Sequence, residues 1–130
     1  MKTILVDAVD TFDIEGPNGF YIFSEMQALL DSYPNEKILV TGANDEQFIE
    51  WGLNHMPYEV FTLKHNPEKA DPAFYKALLA HYDLTPDDVI YFEHAPQAVQ
   101  SAQSVGIQTY QYDPEKQDLK ALKAFIDQNL

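Results

Sequence analysis

Hydrophobic positions along the chain fall into short continuous runs that alternate with segments of helical spacing. Thr3 to Val9 is an apolar run stopped by acids, and it predicts a buried strand. Between Asp10 and Gly19, the group Gly16, Pro17, Asn18 and Gly19 marks a turn-rich excursion. Phe23, Met26, Leu29 and Leu30 then recur at helical spacing and end near Tyr33-Pro34-Asn35. Ile38 to Gly42 predicts a second buried strand. Asn44 and Gln47 follow where a helix-capping pair belongs, with Phe48, Ile49, Gly52 and Leu53 on one face. Tyr58 to Leu63 predicts a third strand. Asp71-Pro72 is a helix start, a capping acid before a first-turn proline, and Phe74, Tyr75, Leu78, Leu79 and Tyr82 form that helix's apolar stripe.

Val89 to Phe92 predicts a fourth strand, and Pro96 opens a helix carrying Val99, Ala102 and Val105 that Gly106 closes. Ile107 to Tyr112 is the fifth strand, and Leu119, Leu122, Phe125 and Ile126 mark a last helix. Continuous apolar strands alternating with amphipathic helices predict an α/β fold, a three-layer Rossmann-like sandwich around a five-stranded parallel sheet. In such sheets ligands bind beyond the carboxyl ends of the strands. The positions to inspect are therefore Asp7 and Asp10, Thr41 to Asn44, Lys64 to Lys69, and Glu93 to His94.

Composition narrows the reading. A chain of 130 residues, 45% hydrophobic and 13% aromatic, suits one domain over residues 1–130 with one core. There is no cysteine, which excludes disulfides and thiolate chemistry. The start, Met1 to Asp7, is too short an apolar run for a signal peptide, and no stretch approaches the roughly 20 apolar residues of a membrane span. A cytoplasmic protein with no membrane partner is expected. Net charge is −13, and all bases are lysines. Nucleic acid is not an expected partner, because no basic patch is present to replace counterions on phosphate. An anionic ligand must be held by lysine, backbone N–H groups or a bound cation.

The strand-end residues resemble the four motifs of the haloacid dehalogenase (HAD-like) superfamily, in order and over nearly the whole chain. Ile4-Leu5-Val6-Asp7-Ala8-Val9-Asp10-Thr11-Phe12 is similar to the family's apolar strand followed by Asp-x-Asp-Gly-Thr. Ile38 to Gly42 is similar to the second motif, a strand ending in Ser or Thr. Lys69-Ala70-Asp71-Pro72 resembles the third, and Val89 to His94 with the helix to Gly106 has the shape of the fourth. The resemblance implies Asp7 as the nucleophile that forms an aspartyl-phosphate. It implies Thr41 and Lys69 as holders of the transferring phosphoryl group. Asp10, Thr11, Gly42 and Lys64 are candidate substrate contacts, Lys64 being the alternative lysine nearer the third strand. Asp7, Glu93 and His94 are the candidate metal ligands, for the Mg²⁺ that the family employs.

The chain departs from the family at two motifs. Val9 stands where the acid–base aspartate belongs, and valine moves no proton. His94 stands at the fourth-motif aspartate and Ala98 at the later acid, so Mg²⁺ binding is expected to be weakened, imidazole being a poor ligand for that ion. Strand alternation predicts that Glu93 points away from His94. His94 itself reads as a Zn²⁺ or Mn²⁺ ligand beside Asp7, a general base, or a packing residue. The stretches from Asp7 to Thr41 and from Thr41 to Lys69 are used up by predicted helices and strands, so no cap domain fits, and Phe12 to Tyr21 is expected to form a small flap. A receiver domain would need an aspartate ending the third strand, where Leu63-Lys64 stands instead. The expected function is a capless HAD-like hydrolase of phosphatase type using Asp7, weak or inactive, on a phosphorylated small molecule or protein. The alternative is a catalytically dead HAD-like domain that binds a ligand or a partner protein.

Overall fold

The computed structural model describes residues 1–130. Five strands, β1 (Thr3–Asp7), β4 (Lys37–Thr41), β5 (Glu59–Thr62), β6 (Val89–Glu93) and β7 (Gln108–Gln111), form one parallel sheet in the order β5-β4-β1-β6-β7. Helices cover both faces, as the unbroken apolar strands require. On one face Ile4, Val6, Leu39, Ile90 and Phe92 pack with Met26 and Leu30 of α1 (Ser24–Asp31) and Leu122 and Ile126 of α5 (Leu119–Asn129). On the other, Leu5, Val40 and Tyr91 pack with Phe74, Tyr75 and Leu78 of α3 (Pro72–His81) and Ala102 of α4 (Pro96–Ser104). The predicted three-layer α/β sandwich is the observed one.

Local signals set the helix ends. The Asn44 side chain accepts from the Gln47 amide at 2.8 Å, and Gln47 returns the bond to the Asn44 amide at 3.0 Å, starting α2 (Asp45–Glu50). Asp71 caps α3 by accepting from the Ala73 amide at 2.9 Å. Gly106 has a φ of 96°, the conformation that ends α4 and that glycine adopts without strain.

Two expectations need correction. The first strand ends at Asp7, not Val9. The Ala8 carbonyl accepts from the amides of Thr11, Phe12 and Asp13 at 3.3, 2.9 and 2.8 Å, so the chain curls out of the sheet. Asp10, at a φ of 71°, makes that curl possible where the family pattern has glycine. The turn-rich excursion is also ordered as an antiparallel hairpin, β2 (Asp13–Gly16) and β3 (Gly19–Ile22). Its polar and glycine-rich composition hid the alternation of Ile14, Phe20 and Ile22. Between β1 and β4 lie only this hairpin and α1, and between β4 and α3 only α2, a short turn and β5. Neither segment contains a cap. No helix is long and apolar enough to cross a membrane.

Strand order reverses at β1, which lies between β4 and β6. Crossovers diverge to either side there and leave a crevice at the carboxyl end of β1. Asp7 is the last residue of that strand.

Candidate active site

Asp7 continues the face of β1 that carries Leu5, the face turned to α3. On β6, Tyr91 and Glu93 share that same face, and the register Val6↔Phe92 brings Asp7 and Glu93 side by side. Both carboxylates are almost wholly buried. Lys69, in the turn before α3, reaches between them. Its Nζ lies 2.7 Å from Asp7 Oδ1 and 2.6 Å from Glu93 Oε1. Thr11 Oγ1 donates to Asp7 Oδ2 at 2.7 Å. His94 lies just past the strand, where the chain bends, and its Nδ1 bonds Asp7 Oδ2. Glu93 Oε2 accepts from the amides of His94 and Ala95, both at 3.0 Å, and Oε1 accepts from the Tyr91 hydroxyl.

These contacts set the charges. Burial opposes ionisation of Glu93, but Lys69 and the hydrogen bonds from His94, Lys69 and Tyr91 outweigh it and hold the carboxyl well below its ordinary range. Hydrogen bonds to Asp7 and Glu93 raise the His94 imidazole to about 10, against its burial. For Asp7, burial and the neighbouring Glu93 push the carboxyl upward, while Lys69 and His94 pull it down, and the rise prevails. Two acids, Asp7 and Glu93, thus face two bases, Lys69 and His94, in one hydrogen-bonded cluster.

No protein-family model and no curated relative matches the sequence. Solved structures do match the architecture. The chain is similar to a HAD-family enzyme from Bacteroides thetaiotaomicron, solved in complex with magnesium and inorganic phosphate, at a TM-score of 0.66 and 11% identity over 88% of this chain and 95% of that one. This is the HAD fold. A HAD-superfamily hydrolase from Ehrlichia chaffeensis matches at a TM-score of 0.63 and 18% identity, over 88% of this chain and 62% of that one. A hydrolase from Streptococcus pneumoniae matches at 0.64 and 17%, over 83% and 58%.

Within the HAD fold, Asp7, Lys69, Glu93 and His94 form one cluster, with Thr11 beneath it. Thr11, expected as a substrate contact, is fully buried with its hydroxyl committed to Asp7, so it positions that carboxylate. Thr41 is buried at the end of β4, and its hydroxyl accepts from the Ala43 amide at 3.2 Å. At Gly42 a Cβ would come 3.2 Å from the His65 ring, which would have to shift by a few tenths of an ångström to accept it. Exposed His65 bridges Gln47 and Glu68 at 2.7 and 3.0 Å. Lys64 is corrected out of the cluster. Its backbone turns to a φ of 56°, and its ammonium pairs instead with exposed Asp45 at 2.9 Å. Asp10 is exposed, with a carboxylate oxygen 3.8 Å from His94 Nε2.

The alternation argument for Glu93 failed for a local reason. Glu93 is the last strand residue and His94 lies in the bend, so the two are no longer related by a pleat. Sequence reasoning missed Tyr91, although its position two residues before Glu93 on one strand was the available signal. It also missed Ser101, whose hydroxyl donates to the Ala70 carbonyl at 2.5 Å and ties α4 to the turn bearing Lys69.

Beside the cluster opens a cavity of about 450 Å³, whose lining includes Lys69, His94, Ala95, Gln97 and Ala98. Ala95 offers α4 no side-chain cap and Pro96 no N–H, so the positive end of the helix faces the cavity with the Gln97 and Ala98 amides uncapped by any side chain. Asp7, Glu93 and His94 offer ligand atoms all within 4.8 Å of one another. They do not fit Mg²⁺. Asp7 Oδ2 is bonded to His94, the Lys69 ammonium takes the facing oxygens of Asp7 and Glu93, and the third donor is nitrogen where Mg²⁺ prefers oxygen.

Proposed function

We propose that this chain uses the HAD fold to bind a phosphoryl-type anionic group without hydrolysing it. The supporting observation is the bond from His94 to Asp7, made from the position where the family keeps a metal-binding carboxylate. Attack on phosphorus requires a free lone pair on Asp7. Oδ2 is filled by donors from Thr11 and His94, which leaves only Oδ1, already bonded to Lys69, with a lone pair for attack. Val9 then leaves no acid to protonate a leaving group, a deficit of roughly 10²–10⁴ in rate by itself. Binding draws on the uncapped Gln97 and Ala98 amides at the α4 amino terminus, since Lys69 and His94 are already paired with Asp7 and Glu93 and Glu68 also lines the cavity. With no cap over the cavity, the group could belong to a small molecule or to a phosphorylated protein.

A second reading, slow hydrolysis through Asp7, is favoured by the placement of Asp10 3.8 Å from His94 Nε2, a gap that one bridging water could span. One assay separates the two. Aryl phosphate is offered to wild type and Asp7→Asn with Mg²⁺, with Mn²⁺ and with chelator, while inorganic phosphate is titrated against the amide resonances of His94 and Gln97. We expect equal background rates in all arms and saturable shifts of those amides. Metal-stimulated turnover that disappears in Asp7→Asn would establish the hydrolase instead, and unmoved amides would remove the anion site.

The balance of acids and bases in the cluster can be tipped by a single substitution. His94→Asp exchanges an imidazolium for a carboxylate and leaves three acids around one lysine. Mg²⁺ is expected to raise the melting temperature of this variant in proportion to site occupancy, and to leave wild type unchanged. A Mg²⁺-dependent rise in wild type would contradict the self-neutralised cluster.

A further inference from the structure

Four large hydrophobic residues are exposed, and two of them, Met1 and Leu130, are the chain ends. The other two are Tyr21 on β3, 53% exposed, and Ile49 on α2, 63% exposed. Between the hairpin and the turn after α2 runs a groove of about 290 Å³, with Phe20, Tyr21, Ile22, Gly52 and Met56 among its walls. The Phe20 and Trp51 rings meet at its edge, their centroids 6.0 Å apart. Ile49 stands one helical turn before Gly52, whose amide donates to the Ile49 carbonyl at 3.1 Å. None of the six residues of α2 is buried, and Ile49 packs on neither face of the sheet. Asp13 also lines the groove, but its two carboxylate oxygens have no hydrogen-bond partner and almost no access to solvent, so carbon dominates the walls.

The rim of this groove is acidic. Glu15 lies directly across the hairpin from Phe20, on the same face, and Glu46 and Glu50 flank Ile49 on α2. All three are exposed and none is in an ion pair, whereas neighbouring Asp45 is paired with Lys64. We propose that the groove docks a segment of a partner protein that presents apolar side chains flanked by lysine or arginine. The apolar side chains cover Tyr21, Ile49 and the groove, and the cations meet Glu15, Glu46 and Glu50. The same acids disfavour other occupants. A second copy would set the three glutamates against their own images, in a chain whose net charge is −13. An anionic membrane surface is repelled for the same reason. None of the groove residues lines the cavity at Lys69 and His94, so docking here is independent of what binds there.

The test uses a synthetic amphipathic peptide of leucine and lysine as the probe. One control peptide replaces its lysines with glutamate, and another replaces its leucines with serine. Trp51 is the chain's single tryptophan and stands at the rim, so its emission reports occupancy. We expect a saturable change with the leucine–lysine peptide alone. Affinity is expected to fall about tenfold in Ile49→Ser, the loss of one interface anchor, with the melting temperature unchanged. Glu46→Gln combined with Glu50→Gln is expected to weaken binding and to reduce its dependence on salt. Asp87→Asn, at an exposed acid in the turn before β6, is expected to leave binding unchanged. Without peptide the wild type is expected to sediment as a monomer. Dimers that form with concentration and disperse in Ile49→Ser would assign the groove to a second copy and overturn the proposal. Equal binding of either control peptide, equal affinity of Ile49→Ser, or a Trp51 emission that never responds would overturn it as well.

Discussion

Lys69→Met is expected to destabilise the protein by about 3–5 kcal/mol, the largest loss at this site. The ammonium is the cation shared by two carboxylates that water barely reaches, 2.7 Å from Asp7 and 2.6 Å from Glu93. Burial alone would strip the proton from Lys69, and Asp7 and Glu93 reverse that and hold it more firmly than an ordinary lysine. Methionine keeps the stem and removes the charge, leaving two buried acids facing each other. One of them must then take up a proton or draw in water. Pairing the substitution with Glu93→Gln removes the stranded charge, so the double variant is expected to be more stable than Lys69→Met alone. Urea unfolding of the three proteins checks both statements. A loss below about 1 kcal/mol in Lys69→Met, typical of an exposed ion pair, would mean that the lysine does not neutralise the pair. A double variant weaker than the single one would mean that Glu93 contributes through something other than its charge.

That network was half legible in the chain. Asp7, Thr41 and Lys69 follow apolar runs or precede a proline-started helix, and those patterns depend on local periodicity, which sequence preserves. The sheet followed from the same patterns, because strands buried on both faces must be apolar throughout. Where the chain leaves regular structure, the reading lost its footing. Asp10 and Lys64 are both at positive φ, and neither is glycine. At such positions spacing no longer says where the next side chain points, which is why Lys64 was placed near a site it does not reach. His94 sits in a bend past β6, so pleat alternation did not apply to it. Thr11 looked like a ligand contact because its motif position carries one meaning in an alignment of patterns. In three dimensions its hydroxyl faces inward, toward Asp7. The hairpin was hidden because half of its residues are glycine or acid, and its burial comes from the turn after α2, distant in sequence.

Asp13 is where the sequence reading was silent and where the pH response should be largest. Its carboxyl rises from an ordinary 3.8 to about 7 in the folded protein because burial, then Asp10, disfavours the charge. Between those two values the folded state holds a proton that the unfolded chain has released. The unfolded state therefore binds fewer protons, and stability must fall as pH rises. The favourable contribution of this group is complete below 3.8 and is lost by the time pH passes through 7. Each unit is worth at most about 1.4 kcal/mol, so the whole window amounts to about 2–4 kcal/mol once partial solvation is allowed for. Asp13→Asn stays neutral in both states and escapes that loss. We expect it to gain on wild type steadily from about pH 4.5 to about pH 7.5, reaching about 2–4 kcal/mol, while other carboxylates affect both proteins alike and cancel. Urea midpoints across that range provide the comparison. A difference that does not change with pH would show that Asp13 titrates as it does in the unfolded chain, and that its oxygens reach water or a donor after all. A difference that grows as expected would tie the cost to the burial of those two oxygens beside Asp10.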